Sequence, residues 1–190
     1  MSTKTIPYFE VHAFTKRCFA GNPAGVCLLE NDWLPDTQMQ AIAAENNLAE
    51  TAFVIARAEY FDLRWMTPAL EVDLCGHATL AAAHVLFRHQ NYPRDEVRFQ
   101  SQSGELVVTK TGERLVLDFP ARPVAEGAVP NELTEALGAR PARVLKGRDY
   151  FAIFATQWED AALRADLSRV AHPTLQVVVV TSPPDCAVSC

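Results

Sequence analysis

No stretch of this 190-residue sequence stays apolar for the length a bilayer crossing requires, and no block of lysine or arginine exceeds two residues. The first absence leaves no candidate membrane span; the greasiest run, 177–180, is only of strand length. The second, with a formal net charge of −6, excludes nucleic acid and anionic membrane surfaces as principal partners. A Walker loop, the dinucleotide-binding fingerprint, H-E-x-x-H and G-x-S-x-G are also missing, so nothing asks for a nucleotide, a flavin or a metal. Cysteine is sparse and odd in number: Cys18, Cys27, Cys75, Cys186 and Cys190 show no C-x-x-C pair, and the five histidines lack ligand spacing. Neither a disulfide framework nor a zinc site is expected, and a reducing cytoplasm is the default location. Residues 1–7 lack the apolar core of a signal peptide, which leads to the same expectation.

What is present is an ordinary globular composition, 49% hydrophobic and 21% charged, with chain enough for a real core. The first part alternates elements. Strands are expected over 8–14, 24–29, 51–57, 61–66, 97–101, 105–110 and 114–119, with a turn at Gly21-Asn22-Pro23 and a hairpin around Thr111-Gly112. Helices are expected over 35–47, where Met39, Ile42 and Ala43 share a face, and over 78–89, which is rich in alanine. These make one mixed α+β unit over residues 1–120. Three prolines and a glycine mark 120–130 as a linker. Beyond it come a helix over 131–137 ended by Gly138, strands over 143–146 and 150–156, a helix over 160–170 and a buried strand over 175–181. Residues 121–190 thus form a linker and a second unit of similar make that stops early.

The most informative run is Asp73-Leu-Cys75-Gly76-His77-Ala78-Thr79, which opens the alanine-rich helix. The first N–H groups of a helix lack intrahelical partners, and the macrodipole there favours an anion. A carboxylate or enolate suits such a place, and a Cys or His there has a perturbed pKa. The same residues also fit a buried thiol and a capping imidazole. Asn47-Leu48-Ala49-Glu50-Thr51 sets a carboxylate where a helix exit meets an apolar strand; partial desolvation there would suit Glu50 to general acid–base work. Glu45 fits a solvated helix face. Asn22 fits a turn that bonds to itself or an amide that orients a carboxylate, and Asp73 fits a helix cap.

Taken in order, Gly21-Asn22-Pro23, Asn47-Leu48-Ala49-Glu50-Thr51, Thr67-Pro68 and Leu74-Cys75-Gly76-His77-Ala78-Thr79 closely resemble the PhzF-like family of phenazine-biosynthesis isomerases and their relatives. The resemblance runs from about residue 6 to residue 181 and is strongest before Pro120. It implies the diaminopimelate epimerase-like fold: two pseudo-symmetric halves, each a curled mixed sheet around a central helix, with the active site between them. It further implies a cofactor-independent isomerase, often a homodimer, acting on a small-molecule carboxylate substrate. By resemblance Glu50 is the general acid–base, and Gly76, His77 and Ala78 bind substrate, with Asn22 a further substrate-binding candidate. In epimerase and racemase relatives a Cys before a similar Gly pair is catalytic, so a Cys75-assisted racemase or epimerase of a small amino or hydroxy acid is an alternative. The family's later Asp-Pro-x-Thr-Gly-Ser run is absent, which implies a C-terminally truncated chain with an incomplete second half. On that basis an inactive fragment, or a module completed by oligomerisation, is a third reading.

Overall fold

The computed structural model describes residues 5–17, 19–170 and 178–183. It divides into two compact units, Met1–Pro120 and Ala121–Cys190. The first unit opens with β1 (Tyr8–Ala13) and β2 (Asn22–Leu29), then α1 (Asp36–Asn46), β3 (Glu50–Ala56), β4 (Phe61–Met66) and the two-residue β5 (Glu71–Val72). The helix α2 (Gly76–Arg88) follows, then β6 (Glu96–Ser101), β7 (Gly104–Thr111) and β8 (Arg114–Asp118).

These strands form one mixed sheet in the order β1-β2-β3-β4-β6-β7-β8, with β5 on β4. The β2–β3 and β4–β6 pairs are parallel and the others antiparallel. Strands at opposite ends of this order, β1 and β8, both pack against α2. A flat sheet cannot do that, so the sheet curls around the helix. That curl explains the composition of α2. Ala78, Ala81, Ala82 and Ala83 are fully buried, and such small side chains let strands close in from several sides.

Side-chain alternation divides the sheet into two faces. Ala24, Val26, Ala52, Val54, Leu63 and Trp65 share a core with α2. Cys27, Leu29, Phe53, Ile55 and Met66 share a second core with Met39 and Ala43 of α1. Glu45 is exposed on α1, as its position in the sequence implies.

The second unit carries β9 (Ala125–Gly127), α3 (Asn131–Leu137), β10 (Arg143–Lys146), β11 (Tyr150–Ile153), α4 (Gln157–Ala161), α5 (Leu167–Val170) and β12 (Val178–Thr181). Its four strands lie in the order β12-β11-β10-β9. Leu133, Ala136 and Leu137 of α3 pack with Val144, Tyr150, Ala152 and Phe154.

Several expectations need correction. The 120–130 segment is more than a linker, since β9 within it pairs with β10. The single helix expected over 160–170 is two short ones. Thr156 caps α4 by accepting the Glu159 N–H at 3.2 Å, and Asp166 accepts the Ser168 N–H at 3.0 Å where α5 begins. Thr156-x-x-Glu159 is a capping-box pattern that dates the first start correctly. Strand β2 begins at Asn22, inside the expected turn, because Gly21 allows a close approach: a Cβ there would lie 2.2 Å from the Ala13 carbonyl oxygen. Residues 175–177 and the 184–190 tail lie outside the described residues. Among the described residues, no helix is long and apolar enough to cross a membrane.

Candidate active site

Glu50 owes its position to the end of α1. Asn47 takes the left-handed conformation (φ 50°) that Asn tolerates better than most residues, and its N–H closes on the Ala43 carbonyl at 3.1 Å. The helix stops there, and three residues later Glu50 starts β3. Asn46 donates to Thr51 Oγ1 at 3.1 Å, tying the helix exit to the strand entry. Because Glu50 pairs with Ala24, and Ala24, Ala52 and Val54 face α2, the carboxylate leaves the sheet on the α2 side.

The helix meets it with its N-terminus. The N-cap position falls on Cys75 rather than Asp73, in extended conformation and with no side-chain cap bond. Gly76, His77 and Ala78 form the first turn. Two bonds fix this entry: Thr79 Oγ1 donates to the Cys75 carbonyl at 2.5 Å, and Ser103 Oγ donates to the Asp73 carbonyl at 2.7 Å. Ser103 was not singled out in the sequence, and Thr79 only as part of the run that opens α2; its place four residues beyond the cap position was the cue to its role.

Three side chains converge. His77 Nε2 lies 3.2 Å from Glu50 Oε2, and Cys75 Sγ lies 3.4 Å from His77 Nδ1. One potential donor atom from each lies within 4.8 Å of the others. Burial pushes the Cys75 thiol up to about 12; the neighbouring Glu50 carboxylate acts in the same direction, against the Ala78 and His77 amides. At neutral pH Cys75 is therefore a thiol, in hydrogen-bond contact with His77 Nδ1 and beside the Glu50 carboxylate. The 3.2 Å approach is close but poorly aligned, so Glu50 Oε2 and His77 Nε2 are both buried without a hydrogen-bond partner. Two adjacent polar atoms left in that state are poised for a ligand that completes them.

Of the sequence-derived site residues, the structure brings together Glu50, Cys75, Gly76, His77 and Ala78. Asn22 is exposed at the first position of β2, two residues before the partner of Glu50, on the same face of the sheet.

Two expected results arise here. A Cβ on Gly76 would lie 2.7 Å from Phe119 Cε2, so Gly76→Ala must displace that half-exposed ring. We expect a loss of about 1–3 kcal/mol by urea unfolding, largely recovered in Gly76→Ala combined with Phe119→Ala; no recovery would mean the helix start is strained for another reason. The second concerns alkali. Cys27 is also pushed up to about 12 by burial. Between the ordinary thiol value of 9.0 and about 12, the unfolded chain has lost both protons and the folded chain has kept them. Stability therefore falls as pH rises through that window, by about 1.4 kcal/mol per pH unit for each thiol. The urea midpoint should drop between pH 8.5 and 10.5, and less steeply in Cys27→Ala. An unchanged midpoint would contradict the burial.

Residues 11–145 match the profile of the phenazine biosynthesis-like protein family, PhzC-PhzF. An uncharacterized isomerase of Pseudomonas aeruginosa is 47% identical over 174 residues, covering 92% of this chain and 67% of that protein. The crystal structure of a PhzF-family phenazine biosynthesis protein from Enterococcus faecalis superposes with a TM-score of 0.82 at 43% identity, over 92% of this chain and 67% of that one. A Pseudomonas aeruginosa protein described as a predicted epimerase shares the fold, with a TM-score of 0.67 at 20% identity over 93% of this chain and 70% of that one. The chain spans about two thirds of the length of these relatives.

Proposed function

Because this chain belongs to the phenazine biosynthesis-like PhzC-PhzF family, whose fold is the epimerase-like α+β fold and whose relatives are isomerases, we propose that it shifts a proton on a small carboxylic acid by general acid–base catalysis at Glu50. The observation that carries this reading is the buried, unpartnered pair Glu50 Oε2 and His77 Nε2 at the N-terminus of α2.

The chemistry follows from the placement. The first-turn amides of α2 at Gly76, His77 and Ala78 hold the substrate carboxylate, with His77 Nε2–H as a further donor. Glu50 takes a proton from a carbon next to the carboxylate or alkene, forming an O–H bond as the C–H bond breaks. The released electron pair moves toward the carboxylate, where the helix amides stabilise the developing charge. Glu50 then returns the proton to another carbon. Each step needs only one placed acid–base and a fixed substrate. Asn22 holds the far end of the substrate in this scheme. The same reading makes the protein a cytoplasmic homodimer that works without a cofactor.

A second reading has one observation in its favour. The protonated Cys75 thiol, 3.4 Å from His77 and within 4.8 Å of the Glu50 carboxylate, is a second proton donor at the site, the kind of group a racemase or epimerase uses. Both readings are tested by incubating the enzyme in D₂O with small unsaturated, 2-amino and 2-hydroxy acids, and following deuterium uptake at carbon by NMR. We expect uptake in one of these classes and no loss of it in Cys75→Ala. Loss in Cys75→Ala would move the assignment to the second reading, and no uptake in any class would contradict both.

A further inference from the structure

The donors gathered at the start of α2 differ in kind: a carboxylate oxygen from Glu50, an imidazole nitrogen from His77 and a sulfur from Cys75, all within 4.8 Å. Mg²⁺ and Ca²⁺ take oxygen ligands, whereas a mixed S, N, O set is the kind that zinc takes. At tetrahedral zinc bond lengths, N and O ligands stand about 3.3 Å apart and N and S ligands about 3.5 Å apart. His77 Nε2 lies 3.2 Å from Glu50 Oε2, while Cys75 Sγ lies 3.4 Å from the other ring nitrogen, Nδ1.

One ion uses one ring nitrogen; an ion on Nε2 keeps the Glu50 spacing, so the Cys75 sulfur must close in toward it by a rotamer adjustment. An independent observation points the same way: His77 is 9% exposed, and its Nε2 is buried without a hydrogen-bond partner. The scaffold is held in place, because Cys75 holds the cap position and His77 stands in the first turn of a buried helix whose entry is fixed by Thr79 and Ser103.

We propose that Glu50, Cys75 and His77 form a Zn²⁺ site, and that an ion there switches the enzyme off by occupying the carboxylate and imidazole a substrate needs. Three protein ligands leave the fourth position to water. On binding, the Cys75 S–H bond breaks, the sulfur bonds to the ion, and the proton passes to solvent. No other reactant is required. The spacing rules for metal motifs miss such a site because Glu50 arrives from a different element, 25 residues before Cys75. The binding half of the proposal is independent of the isomerase reading; the switching half rests on it.

The test uses Co²⁺ as a spectroscopic stand-in, titrated into the full chain. One ion per chain should bind, with a thiolate-to-cobalt charge-transfer band in the near ultraviolet that one equivalent of Zn²⁺ removes. The band should vanish in Cys75→Ser and persist when Cys18, Cys27, Cys186 and Cys190 are all changed to Ser. In His77→Ala the affinity should fall by more than the roughly tenfold that losing even an outer partner of a metal ligand costs. No band in the wild type, or a band kept in Cys75→Ser, overturns the site. Deuterium uptake should cease with one equivalent of Zn²⁺ and return on chelation; full uptake by the zinc-loaded protein overturns the switch. A metal-free protein that exchanges nothing counts against the isomerase reading and the switch, while the cobalt titration still decides the site.

Discussion

Replacing Glu50 by Gln should lower turnover by about a hundred- to ten-thousandfold, the range that a positioned general acid–base contributes. The substitution preserves shape and, under the proposed mechanism, removes only the group that accepts the proton. Its expected signature is then a fall in kcat with KM little changed, because in that mechanism the amides of Gly76, His77 and Ala78 hold the carboxylate. Stability should hardly move. Glu50 forms no aligned hydrogen bond through Oε2 and lies at the first position of β3, so no cavity opens and no ladder bond is lost. A melting shift of only about a few degrees is expected. Glu50→Asp should retain partial activity, since the carboxylate remains but is drawn back from the substrate. Full turnover in Glu50→Gln would remove this residue from the mechanism.

Trp65→Ala should have the largest effect on stability. Trp65 is 1% exposed on β4, opposite Ala52 in the strand that carries Glu50, and packs in the core built around α2. Truncating such a side chain costs about 3–5 kcal/mol, a large share of the roughly 5–15 kcal/mol that holds a domain together. The melting temperature should fall by more than about 10 °C. Trp65→Phe makes a sharper comparison. The indole Nε1 is buried without a hydrogen-bond partner, so Phe loses some volume but also removes an unsatisfied donor. A net change within about 1.5 kcal/mol is expected for it. Equal losses in the two variants would mean that the indole nitrogen, and not ring volume, matters here.

How much of this was legible in the sequence depended on how local each determinant is. The alternation of β8 and the Thr111-Gly112 turn could be read directly, and Gly112 does carry the positive φ that such a turn uses. The helix exit at Asn47 lies in a short motif and could be read too, whereas α2 starts at Gly76, two residues before the expected Ala78. The side on which Glu50 emerges could not. Strand β3 is buried on both faces from Thr51 to Ile55, so its apolar run shows no two-residue period from which to choose a face. Only the pairing with β2 decides it. The two-residue strand β5 is too short for any periodicity, and β9 is masked by the prolines around it. The thiol also shows competing local and tertiary effects. A helix N-terminus lowers a cysteine pKa, but burial of Cys75 within the curled sheet outweighs the two nearby amides and raises it. The first effect is written in the sequence around Gly76; the second belongs to the fold.

That balance separates the roles of the two acids at the site. A thiol held protonated at neutral pH is a donor, so under the proposed function Glu50 is assigned the role of accepting a proton from carbon. The most direct test is to place wild type, Cys75→Ala and Glu50→Gln side by side in D₂O with the best substrate from the acid panel, and to measure by NMR the rate at which deuterium enters the substrate carbon. Wild type and Cys75→Ala should take up deuterium at comparable rates, and Glu50→Gln should show none above background. Uptake by Glu50→Gln at the wild-type rate would contradict the assignment of Glu50 as the acid–base.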